Sequence, residues 1–232
     1  MIRPFNKRKH EFGQLQGMLK AKAPLIWVFT GDSITQGAKH TNGFRSYQEV
    51  FSERIRWELS RVRDFVINTG VSGNTTANVL PDFDWRVAQF KPAVVSLMIG
   101  TNDCASDRRV APDDFRKNLQ LLVTKIRELK AIPLLQTPNI IRIQDAPERA
   151  TLPDYIKIIQ TVAEEQNVIL IDQWEYWTAM AAQHDIRSTW LKDPLHPNGT
   201  GHLEMARLIF KELEIFDPAS FTCSANIHEN IK

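Results

Sequence analysis

The sequence predicts an α/β protein, a three-layer α/β/α sandwich on a mainly parallel sheet, from three observations. Short apolar runs rich in β-branched residues recur along the chain, segments of helical spacing separate them, and the runs are apolar almost throughout instead of alternating. In order, residues 25–29, 65–67, 93–99, 132–135 and 168–171 each read as a buried strand. Of the intervening helices, the clearest carries Phe115, Leu119, Leu122, Ile126 and Leu129 along one face. The last helix is expected from Asn198 or Gly199 to about Leu213, since Leu203, Ala206, Ile209, Phe210 and Leu213 share a face after a Pro-Asn-Gly start. Residues 139–151, charged and without a strong period, read as a surface loop beside the sheet edge, and residues beyond Phe216 as a mobile tail.

With 232 residues and no linker, tandem repeat or low-complexity tract, the chain is expected to form one domain over 1–232, its core at about 24–214. The segment before that core has no assigned role. The net charge is only +2 and the basic residues are scattered, so no electrostatic track for nucleic acid is visible. The one cluster, Lys7, Arg8 and Lys9, reads as a solvated helix face. Cys104 and Cys223 have neither disulfide-framework nor metal-site spacing, which predicts a reducing, cytoplasmic setting. No window approaches the roughly 20 apolar residues that cross a bilayer, and the start of the sequence lacks the apolar stretch of a secretory signal. The expected partner is a small molecule, with neither nucleic acid nor integral membrane association.

In open parallel sheets, ligands bind beyond the carboxyl ends of the strands, so the residues after each apolar run come first. Gly31-Asp32-Ser33 follows the first run. Its glycine permits a tight turn, and a helix N-terminus offers unpaired N–H groups and a positive dipole, which suits Ser33 as a nucleophile. Alone, Gly-Asp-Ser is explained as well by a helix cap. A serine nucleophile needs a base, and the base needs an orienting group. Asp193 and His196, three positions apart in a loop stiffened by Pro194 and Pro197, can place a carboxylate behind an imidazole. Acyl transfer also needs donors for the oxygen that becomes negative. The backbone N–H groups of Ser33 and Gly73 and the side-chain amide of Asn102 are the candidates, although Gly and Asn are also ordinary turn residues.

Four blocks in order carry a resemblance to the SGNH (GDSL-type) hydrolase superfamily: Gly31-Asp32-Ser33-Ile34, Gly73 within residues 68–76, Gly100-Thr101-Asn102-Asp103, and Asp193-Pro194-Leu195-His196-Pro197-Asn198. The resemblance spans residues 25 to about 213 and shows no departure at the catalytic positions. It implies a flavodoxin-like sandwich and hydrolysis of carboxylic esters or thioesters without a metal or organic cofactor. It further implies Ser33 as nucleophile, Asp193 and His196 as the acid–base pair, and an oxyanion hole of Ser33, Gly73 and Asn102. The superfamily covers sugar deacetylases, lysophospholipases and thioesterases, and the absence of a recognisable lid favours short acyl groups such as acetyl on a carbohydrate.

Other readings are less economical. Cys104 follows the third block and could serve a Cys–His enzyme, but a small wall residue explains it. Asp193, His196 and His202 could hold a metal, yet His202 falls inside the last helix, and His40 and His184 read as surface residues. A non-catalytic ligand-binding module on the same fold lacks support from G-x-G-x-x-G or Walker-type sequences. Trp174, Trp177 and Trp190 could stack on sugar rings, line an acyl pocket or fill the core, core being the commoner fate.

Overall fold

The coordinates are a computed structural model, which describes residue 6 and residues 9–21, 23–37 and 39–225. Five parallel strands form one sheet: β1 (Ile26–Gly31), β2 (Phe65–Asn68), β3 (Val94–Met98), β4 (Ile132–Thr137) and β5 (Ile169–Asp172). Their order is β2-β1-β3-β4-β5. The helices, in chain order, are α1 (His10–Lys20), α2 (Ser33–Gln36), α3 (Tyr47–Glu53), α4 (Thr76–Val79), α5 (Phe83–Arg86), α6 (Pro112–Glu128) and α7 (Leu152–Glu165). They continue with α8 (Gln173–Ala181), α9 (Ile186–Thr189), α10 (Gly199–Glu212) and α11 (Phe221–Ser224).

Successive strand residues point to opposite faces, and both faces of this sheet are covered, which is why the runs are apolar at nearly every position. Trp27, Phe29, Met98, Leu134 and Ile171 pack with α1, α3 and α10 through Leu15, Phe51 and Phe210. Val28, Val95, Leu97, Leu135 and Leu170 pack the other way, against Phe83 of α5, Phe115 and Leu122 of α6 and Ile159 of α7. Pro112 stands at the start of α6, where its missing N–H costs nothing, and Asp113 and Asp114 complement the helix dipole.

Strand β2 departs from expectation. It lies at the sheet edge and is not buried, with Phe65 58% exposed and Trp57 beside it 75% exposed. Residues 139–151 are no surface loop either: Ile140, Ile141, Ala146 and Arg149 are buried, and two 3-10 turns, Ile143–Asp145 and Pro147–Arg149, wedge the segment against the carboxyl end of the sheet. The segment after Phe216 is anchored in part, because Thr222 donates to Glu58 from both N–H (2.8 Å) and Oγ1 (2.5 Å) and Cys223 is buried. Residues 226–232 of the expected tail lie outside the described residues.

The N-terminal segment is structural. The Asn6 side chain both donates to the Leu170 carbonyl (2.8 Å) and accepts from the Leu170 N–H (3.1 Å), occupying the edge of β5 as a short strand would. Lys9 is buried and not solvated, its ammonium donating to the carbonyl of Val168. Lys7 and Arg8 lie outside the described residues. Arg61 ties down the end of α1, donating to the carbonyls of Leu19, Ala21 and Ala23 while it pairs with Asp64. Asp64 in turn accepts from Leu25 N–H (3.0 Å) and Trp27 Nε1 (3.1 Å), so the entry to β1 is fixed from two sides.

Strands β1 and β3 run side by side to their carboxyl ends, where Gly31 pairs with Met98. A Cβ at Gly31 would fall on the Met98 carbonyl oxygen and crowd Thr35 Oγ1. Gly31→Ala is therefore expected to destabilise the fold by roughly 3 kcal/mol or more, the upper range of overpacking effects, in urea denaturation; a loss below about 0.5 kcal/mol would show that the two strand ends yield freely.

Candidate active site

Strand β1 leads to β2 on one side and, after a crossover, to β3 on the other, so the loops beyond β1 and β3 diverge and leave a crevice. The nucleophile candidate stands at its base. Asp32 caps α2 by accepting the Ile34 N–H at 2.9 Å, and Gly37 closes this one-turn helix in a left-handed conformation (φ +68°). Ser33 is thereby held at the first helical position.

Across the crevice, Ser33 Oγ lies 2.8 Å from His196 Nε2, joining residues 163 positions apart. The other ring nitrogen, Nδ1, lies 2.8 Å from Asp193 Oδ2 and 3.0 Å from Oδ1. Asp193 Oδ1 also accepts the backbone N–H groups of Leu195 (2.8 Å) and His196 (2.9 Å), an Asx-type turn that folds the loop around its own carboxylate. Leu191 bridges Pro197, Asn198 caps α10 through the Gly201 N–H, and Arg142 N–H donates to the Pro194 carbonyl. Segment 139–142 thus braces the loop, with Asn139 Nδ2 also reaching the Leu195 carbonyl at 3.1 Å. Burial alone would raise the Asp193 pKa, but hydrogen bonds from the His196 ring and the two N–H groups, with the attraction of the ring's charge, hold it well below the ordinary carboxylate range. Asp193 is ionised at neutral pH.

The oxyanion candidates occupy neighbouring loops. Gly73 has φ +79°, a conformation glycine adopts without strain. Among the described residues, no acceptor pairs with the backbone N–H of Ser33 or of Gly73. Asn102 is buried in the turn after β3 and donates one Nδ2 hydrogen to the Asn74 carbonyl at 3.1 Å. Buried Arg86 braces this side, donating to the Gly31 and Thr69 carbonyls (2.6 and 2.9 Å) and to Asn74 Oδ1 (2.8 Å). Asn68 Nδ2 adds bonds to the Thr35 and Gln36 carbonyls, so the Gly73 loop and the nucleophile turn are tied to each other.

Several side chains fall elsewhere than expected. His40 is no surface residue: its ring stacks on His196 with centroids 3.5 Å apart and planes 6° apart, and its Nε2 lies 3.6 Å from Asp193 Oδ2. His184 is exposed. His202 is buried away from Asp193; it accepts the Tyr47 N–H at 3.2 Å, and burial, with the charges of His40 and His196, pushes its pKa down to about 3. The three groups whose ligand atoms approach one another are instead His40, Asp193 and His196, within 4.8 Å. Parallel stacking sets the in-plane lone pairs of the two rings side by side, a poor fit to one tetrahedral ion, and both His196 nitrogens already have partners. Cys104 is buried, its thiol pushed up to about 12 mainly by burial, which leaves it no nucleophile. Trp177 and Trp190 are buried and pack edge to face at 5.0 Å, so they fill the core. Trp174 is partly buried against both core clusters.

Cavities open along the sheet edge and beside the Gly73 loop. One of about 590 Å³ along the β2 edge, lined by Arg45, Glu53, Arg56, Trp57 and Asn68, contains none of Ser33, Asp193 and His196. A polar hollow of about 430 Å³ lined by Gly73, Thr75, Asn78, Asp107 and Arg108 borders the oxyanion loop. No helix among the described residues is long and apolar enough to cross a membrane.

Comparison with known proteins agrees with this geometry. The model of the GDSL-like lipase/acylhydrolase family matches residues 29–203, a span that includes all four polar blocks. Over 204 residues the chain is 27% identical to an acetylxylan esterase of Geobacillus stearothermophilus, covering 80% of this chain and 92% of that enzyme. The solved structure of Axe2, an acetylxylan esterase from Geobacillus stearothermophilus, matches with a TM-score of 0.71 at 25% identity, over 82% of this chain and 94% of that one. LAE5, an alpha/beta hydrolase enzyme from the metagenome of Lake Arreo, Spain, matches with a TM-score of 0.73 at 26% identity, over 86% of this chain and 99% of that one. Catalytic mutants of Axe2 carry alanine in place of a serine, an aspartate or a histidine, the last two lying three positions apart.

Two buried carboxyl groups flank the site. Burial pushes Asp32 up to about 6, against the bond from Ile34, and it pushes Asp103 up to about 6 despite two bonds from Thr76. The folded protein holds a proton on Asp32 up to about pH 6, whereas the unfolded chain releases it near pH 4. Stability therefore falls as pH rises through that window and levels off above it. Asp32→Asn keeps the cap acceptor and removes the titration, so its stability relative to the parent is expected to rise between about pH 4 and pH 6, by up to about 3 kcal/mol. Urea denaturation from pH 4 to pH 7 reads this directly, and a difference that is flat with pH contradicts it.

Proposed function

The chain belongs to the GDSL-like lipase/acylhydrolase family, and we propose that within it this ester hydrolase removes acetyl groups from acetylated carbohydrates by a serine mechanism. The observation that carries the mechanism is the continuous Ser33–His196–Asp193 hydrogen-bonded line, 2.8 Å at each step. Ser33 Oγ attacks the acyl carbon while His196 Nε2 takes its proton, and ionised Asp193 stabilises the imidazolium without accepting that proton. The carbonyl oxygen becomes an oxyanion, met by the N–H groups of Ser33 and Gly73 and the amide of Asn102. His196 returns the proton to the departing alcohol, and the acyl group stays on Ser33. Water then attacks the acyl carbon as His196 takes its proton; the bond from that carbon to Ser33 Oγ breaks, His196 returns the proton to Oγ, and the acid leaves.

For the substrate, the acetylxylan esterases matched over most of their length support an acetyl ester on a sugar. The hollow beside Gly73 supports it independently, since Thr75, Asn78, Asp107 and Arg108 suit hydroxyl-rich groups better than a long acyl chain. Lysophospholipase and thioesterase activity are not favoured by these features.

Ser33→Ala and His196→Ala are each expected to lower turnover of p-nitrophenyl acetate by roughly 10⁵–10⁶-fold, with thermal unfolding nearly unchanged. Persistent hydrolysis by purified Ser33→Ala would sink the nucleophile assignment. A panel of acyl esters tests the substrate: acetylated xylo-oligosaccharides should be hydrolysed with the highest kcat/KM, and preference for long acyl chains or lysophospholipids would overturn that part of the proposal.

A further inference from the structure

Segment 139–151 brings a buried charge to the site. Arg149, at the end of the 3-10 turn Pro147–Arg149, is 7% exposed. Its Nε donates to the Thr101 carbonyl at 3.1 Å and its Nη2 to Asn102 Oδ1 at 3.3 Å, while Nη1 pairs with Glu148. The turn is itself docked on the loop after β3, through Ser106 N–H on the Glu148 carbonyl at 3.0 Å and Thr151 Oγ1 on the Cys104 carbonyl at 3.3 Å.

We propose that Arg149 is a positioning residue that fixes the Asn102 carboxamide in its donating orientation and strengthens it as an oxyanion donor. The inference rests on the assignment of Asn102 to the oxyanion hole. A primary amide has two faces of opposite use: Nδ2 presents hydrogens, whereas Oδ1 would repel the oxygen that becomes negative. The guanidinium engages Oδ1, and the Asn74 carbonyl accepts one Nδ2 hydrogen. The second hydrogen remains for the substrate. A cation on the carbonyl oxygen also draws electron density from the amide and makes its N–H a stronger donor. Arginine suits this task because one planar fork reaches both Thr101 O and Asn102 Oδ1, a geometry that a lysine ammonium lacks.

A residue that merely stiffened the loop would act whether or not Asn102 were present, so a double-mutant cycle separates the two roles. Asn102→Ala is expected to lower kcat for p-nitrophenyl acetate by about 10²–10³-fold, as for loss of one oxyanion donor. Arg149→Met is expected to lower kcat by about 10–100-fold with KM within about twofold, an effect made mainly in the transition state. The double variant should be no slower than Asn102→Ala alone, and affinity for a phosphonate transition-state analogue should fall in parallel with kcat. Arg149→Lys, which keeps the charge and loses the fork, provides the same cycle if the methionine variant does not fold, with a loss of at least about fivefold expected. Multiplying losses in the double variant, or an effect on KM alone, would overturn the role of Arg149 while leaving Asn102 in place. An unchanged kcat in Asn102→Ala would remove the oxyanion assignment itself, and with it the inference.

Discussion

The close approach of β1 and β3 at their carboxyl ends is the constraint on which the rest of the architecture turns. Gly31 has no side chain because the Met98 carbonyl fills the space where one would begin, and from that contact the two chains diverge into the turns bearing Ser33 and Asn102. The apolar layers on either face hold the strands in register, and buried Arg86 collects carbonyls from both the β1 end and the loop after β2. Polar groups that would otherwise be stranded out of water therefore become the braces of the site.

Charge is distributed around this point with opposite effects. Asp193, half-buried and well supplied with donors, stays ionised. Asp32 and Asp103, deeply buried with one oxygen each unpaired, hold their protons to about pH 6. One family of side chain thus titrates well below the ordinary range in one loop and above it, near pH 6, in two others, with burial and hydrogen-bond supply deciding between them.

The sheet was legible in the sequence because burial on both faces demands continuous apolar runs, and four of the five strands obey that demand. The fifth, β2, is short and β-branched like the others, so nothing local marks it as an edge. Ser33, Gly73, Asn102, Asp193 and His196 were legible because each lies in a polar segment placed where parallel sheets put their ligands, and their order matched a known hydrolase pattern. Arg86 and Arg149 were not, since a charged residue in an unpatterned segment reads as solvated, and only the fold reveals the carbonyls that make its burial affordable. His40 was missed because stacking on His196 depends on a loop whose path no periodicity describes. The anchoring of Thr222 on Glu58, 164 positions away, likewise has no local mark.

The hydroxyl and its imidazole partner are encoded 163 positions apart, so the candidate site exists only where both parts of the fold are in place. The imidazole reaches that hydroxyl from a loop that precedes α10 and is docked on segment 139–142.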